Sequence, residues 1–93
     1  MIVGTITICI HTPWVHSLKD KRRILKSLVE KTRQKFNVSI SEIDEQDHHQ
    51  KIVLGIAYVT NEAAMADRMI DQVLSYLEKN TDGEVFILER EFR

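Results

Sequence analysis

Hydrophobic residues recur at every second position near the start of the chain. Ile2, Gly4, Ile6, Ile8 and Ile10 alternate with Thr5, Thr7 and Cys9, and a period of two belongs to a β-strand. Residues 11–16, interrupted by Pro13, read as a loop. The period then changes. Leu18, Leu25, Leu28, Val29, Thr32 and Phe36 share one face of a helix, about 28 Å long at 1.5 Å per residue. Ser17 is placed to cap it, with Asp20 three residues on to complete a capping box. Residues 38–45 and 50–60 predict two further strands, joined by the polar turn Gln46-Asp47-His48-His49. Asn61 stands at the start of a second helix as its predicted cap. The inner face of that helix is Ala66, Met69, Ile70, Val73 and Leu77, and residues 80–83 end it. Residues 84–91 complete the pattern as a fourth strand.

The order βαββαβ contains two split β-α-β units. Right-handed crossovers then give an α+β domain, ferredoxin-like, spanning residues 1–93. It has a four-stranded antiparallel sheet in the order 4-1-3-2 with both helices on one face. The first and third strands lie in the centre, and Gly4 and Gly55 suit close approach of helix to sheet. The third strand is apolar on both sides, with Ile52, Leu54, Ile56 and Tyr58 against Val53, Ala57 and Val59. The fourth repeats this with Val85 and Ile87 against Phe86 and Leu88. Helices cover one side only, so the open face should be apolar and is expected to be covered in a homodimer or larger homo-oligomer.

Composition adds limits. At 93 residues, 43% hydrophobic and 29% charged, the chain has the make-up of an ordinary globular domain. The single Cys9 allows no internal disulfide, which suits a cytoplasmic protein. No apolar run approaches the ~20 residues of a membrane span. The net charge of −1 hides an uneven distribution. Residues 1–36 carry eight Lys/Arg against two acids, or +6, and residues 37–93 carry five against twelve, or −7.

That imbalance centres on Lys19, Lys21, Arg22 and Arg23, four cations in the first two turns of a helix. The dipole there is positive, and each exposed cation costs roughly 0.3–1 kcal/mol. Lys19, Arg22, Lys26 and Arg33 form a stripe, Arg23 lies beside it, and Lys21, Lys31 and Lys35 occupy the opposite flank. Together with Ser17 and the free amides at the helix start, the set Lys19, Lys21, Arg22, Arg23, Lys26 and Arg33 suits phosphate. The alternative is that the leading cations pair with Asp44, Glu45 and Asp47 of the hairpin, where exposed pairs contribute ~0–1 kcal/mol.

The topology brings His11, Trp14, His16, the cationic block, Asp44–Asp47, His48 and His49 to one end. The histidines lack metal-site spacing, since no two stand four apart on a helix and His48 and His49 alternate faces. No metal or cofactor is expected. Ser17 is accounted for as a cap and Cys9 as a small core residue, and there is no glycine-rich phosphate loop, so no enzyme is expected. RNA-recognition motifs share this element order but stack bases on aromatics of strands one and three. Strand one has none and strand three has only Tyr58. Any RNA contact is therefore expected through the basic helix and the nucleic-acid backbone.

Ser17-Leu18-Lys19-Asp20-Lys21-Arg22-Arg23, with Phe36-Asn37-Val38-Ser39 thirteen residues beyond the block and Glu42-Ile43-Asp44-Glu45-Gln46-Asp47 after it, resembles the YlxP-like family of small uncharacterised bacterial proteins. The likeness continues through Gly55-Ile56-Ala57-Tyr58-Val59 and Thr60-Asn61 and covers nearly the whole chain. It implies a ferredoxin-like domain. The family's genes often lie among those for translation and ribosome maturation, which implies a role near RNA; with the basic helix, the expected function is a non-enzymatic RNA- or ribosome-associated binder. A homo-oligomeric interaction module, or one binding small anions, is the alternative. The resemblance carries over no catalytic residues.

Overall fold

Ile6, Ile8 and Ile10 point to the same side of their strand, and that side sets the architecture. The computed structural model describes residues 1–93. Its elements are β1 (Ile2–His11), α1 (Leu18–Lys35), β2 (Ser39–Asp44), β3 (Lys51–Thr60), α2 (Ala63–Asn80) and β4 (Glu84–Phe92). The strands form one sheet in the order β2-β3-β1-β4, with every neighbouring pair antiparallel. The predicted fold class and strand order hold.

In the register of β1 with β3, Ile6 faces Ile56, Ile8 faces Leu54 and Ile10 faces Ile52. All six are buried, and with Ile40 of β2 they meet Leu28 of α1 and Ile70, Val73 and Leu77 of α2 in one core. Burying each such side chain contributes about 1.5–3 kcal/mol, so the shared period-two and helical stripes suffice to put both helices on this face. Gly4 lets α2 approach closely, since a Cβ there would lie 3.0 Å from the Ala66 Cβ and 3.5 Å from Ile70.

Three local expectations need correction. Gly55 does not serve helix approach. It faces the uncovered side of the sheet, where the Ile43 side chain crosses the space its Cβ would fill, at 3.0 Å. Ile43 reaches it because β2 is irregular there: Glu42 pairs with Leu54 and Asp44 with Val53, leaving Ile43 as the extra residue. Asn61 does not cap α2. Glu62 takes the N-cap position without a side-chain cap bond, and the Thr60 hydroxyl accepts the Glu62 N–H at 3.3 Å. The reciprocal half of the α1 capping box is also missing, although Ser17 Oγ accepts the Asp20 N–H at 3.1 Å.

The uncovered face is not uniformly apolar. Its hairpin end holds Cys9 and Val53, only 7% and 5% exposed, beside Phe86, Ile87 and Leu88. Here lies a depression of about 520 Å³, rimmed by His11, Asp44, Glu45 and Lys51. The opposite end is polar, with Thr5, Thr7, Ser39, Ser41, Glu89 and Arg93. The division arises in β4, where the register slips between Thr7 and Ile8, so that Ile87 and Glu89 pair with β1 and Leu88 is the extra residue. Burial pushes the Cys9 thiol above its ordinary pKa, with the nearby Lys51 charge acting the other way and Glu45 adding to the rise. At neutral pH Cys9 is therefore a protonated packing residue.

A tight contact joins the last turn before β4 to β1. A Cβ on Gly83 would lie 2.5 Å from the His11 carbonyl oxygen and from Ile10 Cγ2. Because the first of these is backbone, Gly83→Ala must displace the start of β4, and the expected cost is roughly 1–3 kcal/mol. Urea denaturation should show a lower midpoint at an unchanged slope.

Candidate nucleic-acid interface

The first turns of α1 hold four cations, and the structure divides them into two kinds. Lys21 stands four residues before Leu25, seven before Leu28 and eleven before Thr32, so it lies on the core stripe and not on an outer flank. Its side chain is 1% exposed. The ammonium donates to the backbone carbonyls of Glu45 at 2.6 Å and His48 at 2.7 Å, with the Gln46 carbonyl at 3.5 Å. Glu42 Oε2 lies 2.9 Å away, close enough for strong attraction but without an aligned donor of its own. An ammonium has three donors and no acceptor, and this arrangement occupies all of them. Lys21 is thus removed from the phosphate-binding set. It holds the β2–β3 hairpin from below.

The hairpin turn is shaped around that contact. Glu45 adopts a positive φ of 55°, a left-handed conformation uncommon for non-glycine residues. Its carbonyl accepts from both the Lys21 ammonium and the His48 N–H, the latter at 3.0 Å. Asp44 turns back to accept the Glu45 N–H at 2.8 Å. The alternative pairing of helix cations with Asp44, Glu45 and Asp47 does not form; the acid that meets the helix is Glu42.

The remaining cations of the predicted set reach solvent. Lys19, Arg22, Arg23, Lys26 and Arg33 are exposed and lie on the outer face of α1, within about 120° of arc at 100° per residue. None forms an ion pair; in α1 only Lys21 does. Arg33 is partly engaged, donating to the Ile40 carbonyl at 2.9 Å. Ser17 acts as the helix cap. Among the flank residues Lys35 sits 5.2 Å from the centre of the Tyr76 ring, a cation–π contact, whereas Lys31 faces a cleft beside Trp14.

The loop between β1 and α1 is tied to the same hairpin. Thr12 is fully buried, donating its N–H to the Gln50 carbonyl at 3.0 Å and its hydroxyl to the His49 carbonyl at 3.3 Å. The Gln50 amide donates to the carbonyls of Pro13 and Val15 at 3.1 and 3.4 Å. The convergence expected at this end is therefore real, but it is largely built of backbone bonds. The histidines have separate surroundings: His11 packs on Phe86 with ring centres 4.9 Å apart, His48 Nδ1 accepts the Gln50 N–H, and His16 is exposed. No three His, Cys, Asp or Glu side chains are placed to hold a metal ion.

A family model described as "Protein of unknown function (DUF503)" matches residues 3–90. The chain belongs to this family. The uncharacterized protein YlxP of Bacillus subtilis (strain 168) is 37% identical over 76 residues, covering 82% of this chain and 83% of that one. Among solved structures, a de novo designed protein with ferredoxin fold aligns at a TM-score of 0.60 and 13% identity, covering 100% of this chain and 86% of the design. The designed protein Foldit4 aligns at 0.51 and 17%, with 99% and 94% covered. These designs establish the fold alone. In this DUF503 protein no helix is long and apolar enough to cross a membrane.

The two kinds of cation should separate in mutants. Lys21→Met strands Glu42 and the turn carbonyls without their cation, and loss of one partner from a buried pair costs about 3–5 kcal/mol. Arg22→Ala and Arg23→Ala should each fall within about 0.5 kcal/mol of the parent. Urea midpoints for the three variants provide the measurement.

Proposed function

We propose that this protein is a non-enzymatic RNA-binding domain that docks α1 on the phosphate backbone of RNA or a ribosomal particle. The observation that carries the reading is the outer face of α1, where Lys19, Arg22, Arg23, Lys26 and Arg33 stand exposed without a carboxylate partner. Cations near a helix N-terminus oppose the dipole, and neither intramolecular pairing nor core packing explains Lys19, Arg22 and Arg23 there; Lys26 continues their line, and Arg33, in the last turn, suits the dipole and is held by the Ile40 carbonyl. Phosphates along a strand would supply both the counter-charge and the linear geometry. The face is not purely basic. Glu30 lies within it, and the hairpin acids bound it at the N-terminal end, which directs a polyanion along the helix and away from the tip.

The binding is expected to be salt-dependent. Four neutralised phosphates on a single strand give a slope of log K against log salt of about −3, at roughly −0.7 per contact. Arg22→Ala with Arg23→Ala should flatten the slope by about 1.4 and weaken binding to unrelated sequences alike, since backbone contacts carry little base information. Fluorescence anisotropy with a labelled single-stranded RNA at several salt concentrations measures both. A wild-type protein with no affinity at low salt would refute the reading.

The same protein is proposed to self-associate through the uncovered sheet face, as Phe86, Ile87 and Leu88 are exposed beside the apolar depression. Strands of ten, six, ten and nine residues, ~4.8 Å apart, present roughly 570 Å². Two such faces would bury ~1,100 Å², just above the ~1,000 Å² that a specific interface needs. Sedimentation at micromolar concentration should give a dimer, and Leu88→Glu should return it to a monomer without loss of the fold.

A further inference from the structure

Trp14 is the only tryptophan of the chain, and the proposed helix interface does not use it. It is 45% exposed although its neighbour Val15 is buried. Large aromatic rings gain from burial, so a tryptophan held half in water on a fixed loop needs a reason. The loop is fixed on both sides of it: the Gln50 amide holds the carbonyls of Pro13 and Val15, and Thr12 is anchored to the hairpin. The ring is thus presented, not merely left outside.

It is presented to a cleft of about 310 Å³ between α1 and the turn that joins α2 to β4. The cleft is walled on the helix side by Arg23, Ser27 and Lys31, and on the turn side by Asp82. Arg23 and Lys31 stand two helical turns apart on the flank nearest α2, and neither makes an ion pair or an internal hydrogen bond. Asp82 likewise accepts no side-chain hydrogen bond and meets no cation. The volume is at the lower end of the ~300–1,000 Å³ typical of small-molecule sites.

The donor set selects a ligand class. A flat ring gives a stacking platform, which serves every nucleic-acid base. The guanidinium and ammonium suit phosphate. A carboxylate opposite them is wrong for an acidic peptide, but it suits a base edge or ribose hydroxyl that must donate hydrogen bonds. We propose that this cleft holds one nucleotide unit, its base stacked on Trp14, its phosphate at Arg23 and Lys31, and a donor of the base or sugar at Asp82. The proposal rests on the reading of α1 as an RNA-facing surface and adds a place where one unstacked nucleotide of the strand leaves the backbone track. A free nucleotide presents the same chemistry.

Two measurements decide it. Anisotropy with a labelled ten-nucleotide single-stranded RNA should show Trp14→Ala weakening binding roughly 5- to 150-fold, as expected for loss of one stacked base. The salt slope should be unchanged and Trp14→Phe should restore most of the affinity. The single indole N–H resonance should shift on addition of unlabelled RNA with the same midpoint. If RNA binds with the expected slope while Trp14→Ala binds as wild type and the indole resonance stays in place, the cleft proposal is overturned and the helix reading survives. If no RNA binds at low salt, the helix reading fails, and adenosine monophosphate becomes the deciding probe. A saturable indole shift that Arg23→Ala abolishes would establish a free-nucleotide site, and no shift would overturn the cleft as well.

Discussion

A single ammonium group beneath a hairpin turn organises one end of this domain. Lys21 leaves a block of otherwise solvent-facing cations, enters the protein and gathers carbonyls of Glu45 and His48 together with the Glu42 carboxylate. Burying a charge is costly unless it is paired and hydrogen-bonded, and here nearly every compensating group comes from one turn. The helix start, the edge strand β2 and the hairpin become one unit. Gln50 and Thr12 extend it to the loop that carries Trp14. The positions of the outer cations and of the tryptophan therefore depend on an interaction that neither of them makes.

This also separates charge from electrostatic effect. Lys21 counts toward the +6 of residues 1–36, yet Glu42 and the carbonyl dipoles absorb its field, and a ligand meets only its neighbours. The acids are sorted in a comparable way. Asp67 and Asp71 of α2 are both taken by Arg90 of β4 at 2.7 Å, so part of the acidic excess is locked against the far side of the sheet from the hairpin. Although partial burial works against its charge, the hydrogen bonds that the Arg90 guanidinium donates to these two carboxylates raise its pKa. What remains outward is a basic helix face bordered by acids.

The fold was legible because its signals were redundant. Ile6, Ile8 and Ile10 on one strand, Leu54 and Ile56 on another, and Ile70, Val73 and Leu77 on a helix each point to the same core, and no competing pattern exists. Two of the corrected positions depend on local geometry. Gly55 alternates with Leu54 and Ile56 and so falls on the uncovered face by period alone, while the bulge that brings Ile43 over it is invisible in the residue pattern. Asn61 has the right chemistry for a cap, but the chain turns one residue later. Lys21 was different, since its spacing of four and seven from Leu25 and Leu28 already placed it on the buried stripe. Its charge argued for solvent, and the partners that overrule the charge are backbone groups, which every residue carries and no sequence displays. The Trp14 cleft was hidden for a related reason: its walls come from segments about sixty residues apart.

Both outer strands of the sheet carry an extra residue, Ile43 in β2 and Leu88 in β4. Each interrupts the straight row of amide and carbonyl groups that an edge would otherwise offer to another chain. With Phe86, Ile87 and Leu88 exposed along one of those edges, an uninterrupted row would be a template for fibre growth, each new molecule recreating the surface it had just consumed. A kinked edge admits contact between side chains while denying the endless ladder. Any self-association of this domain would thereby be biased toward assemblies that close on themselves, and the apolar residues that favour contact would not commit the protein to polymerise.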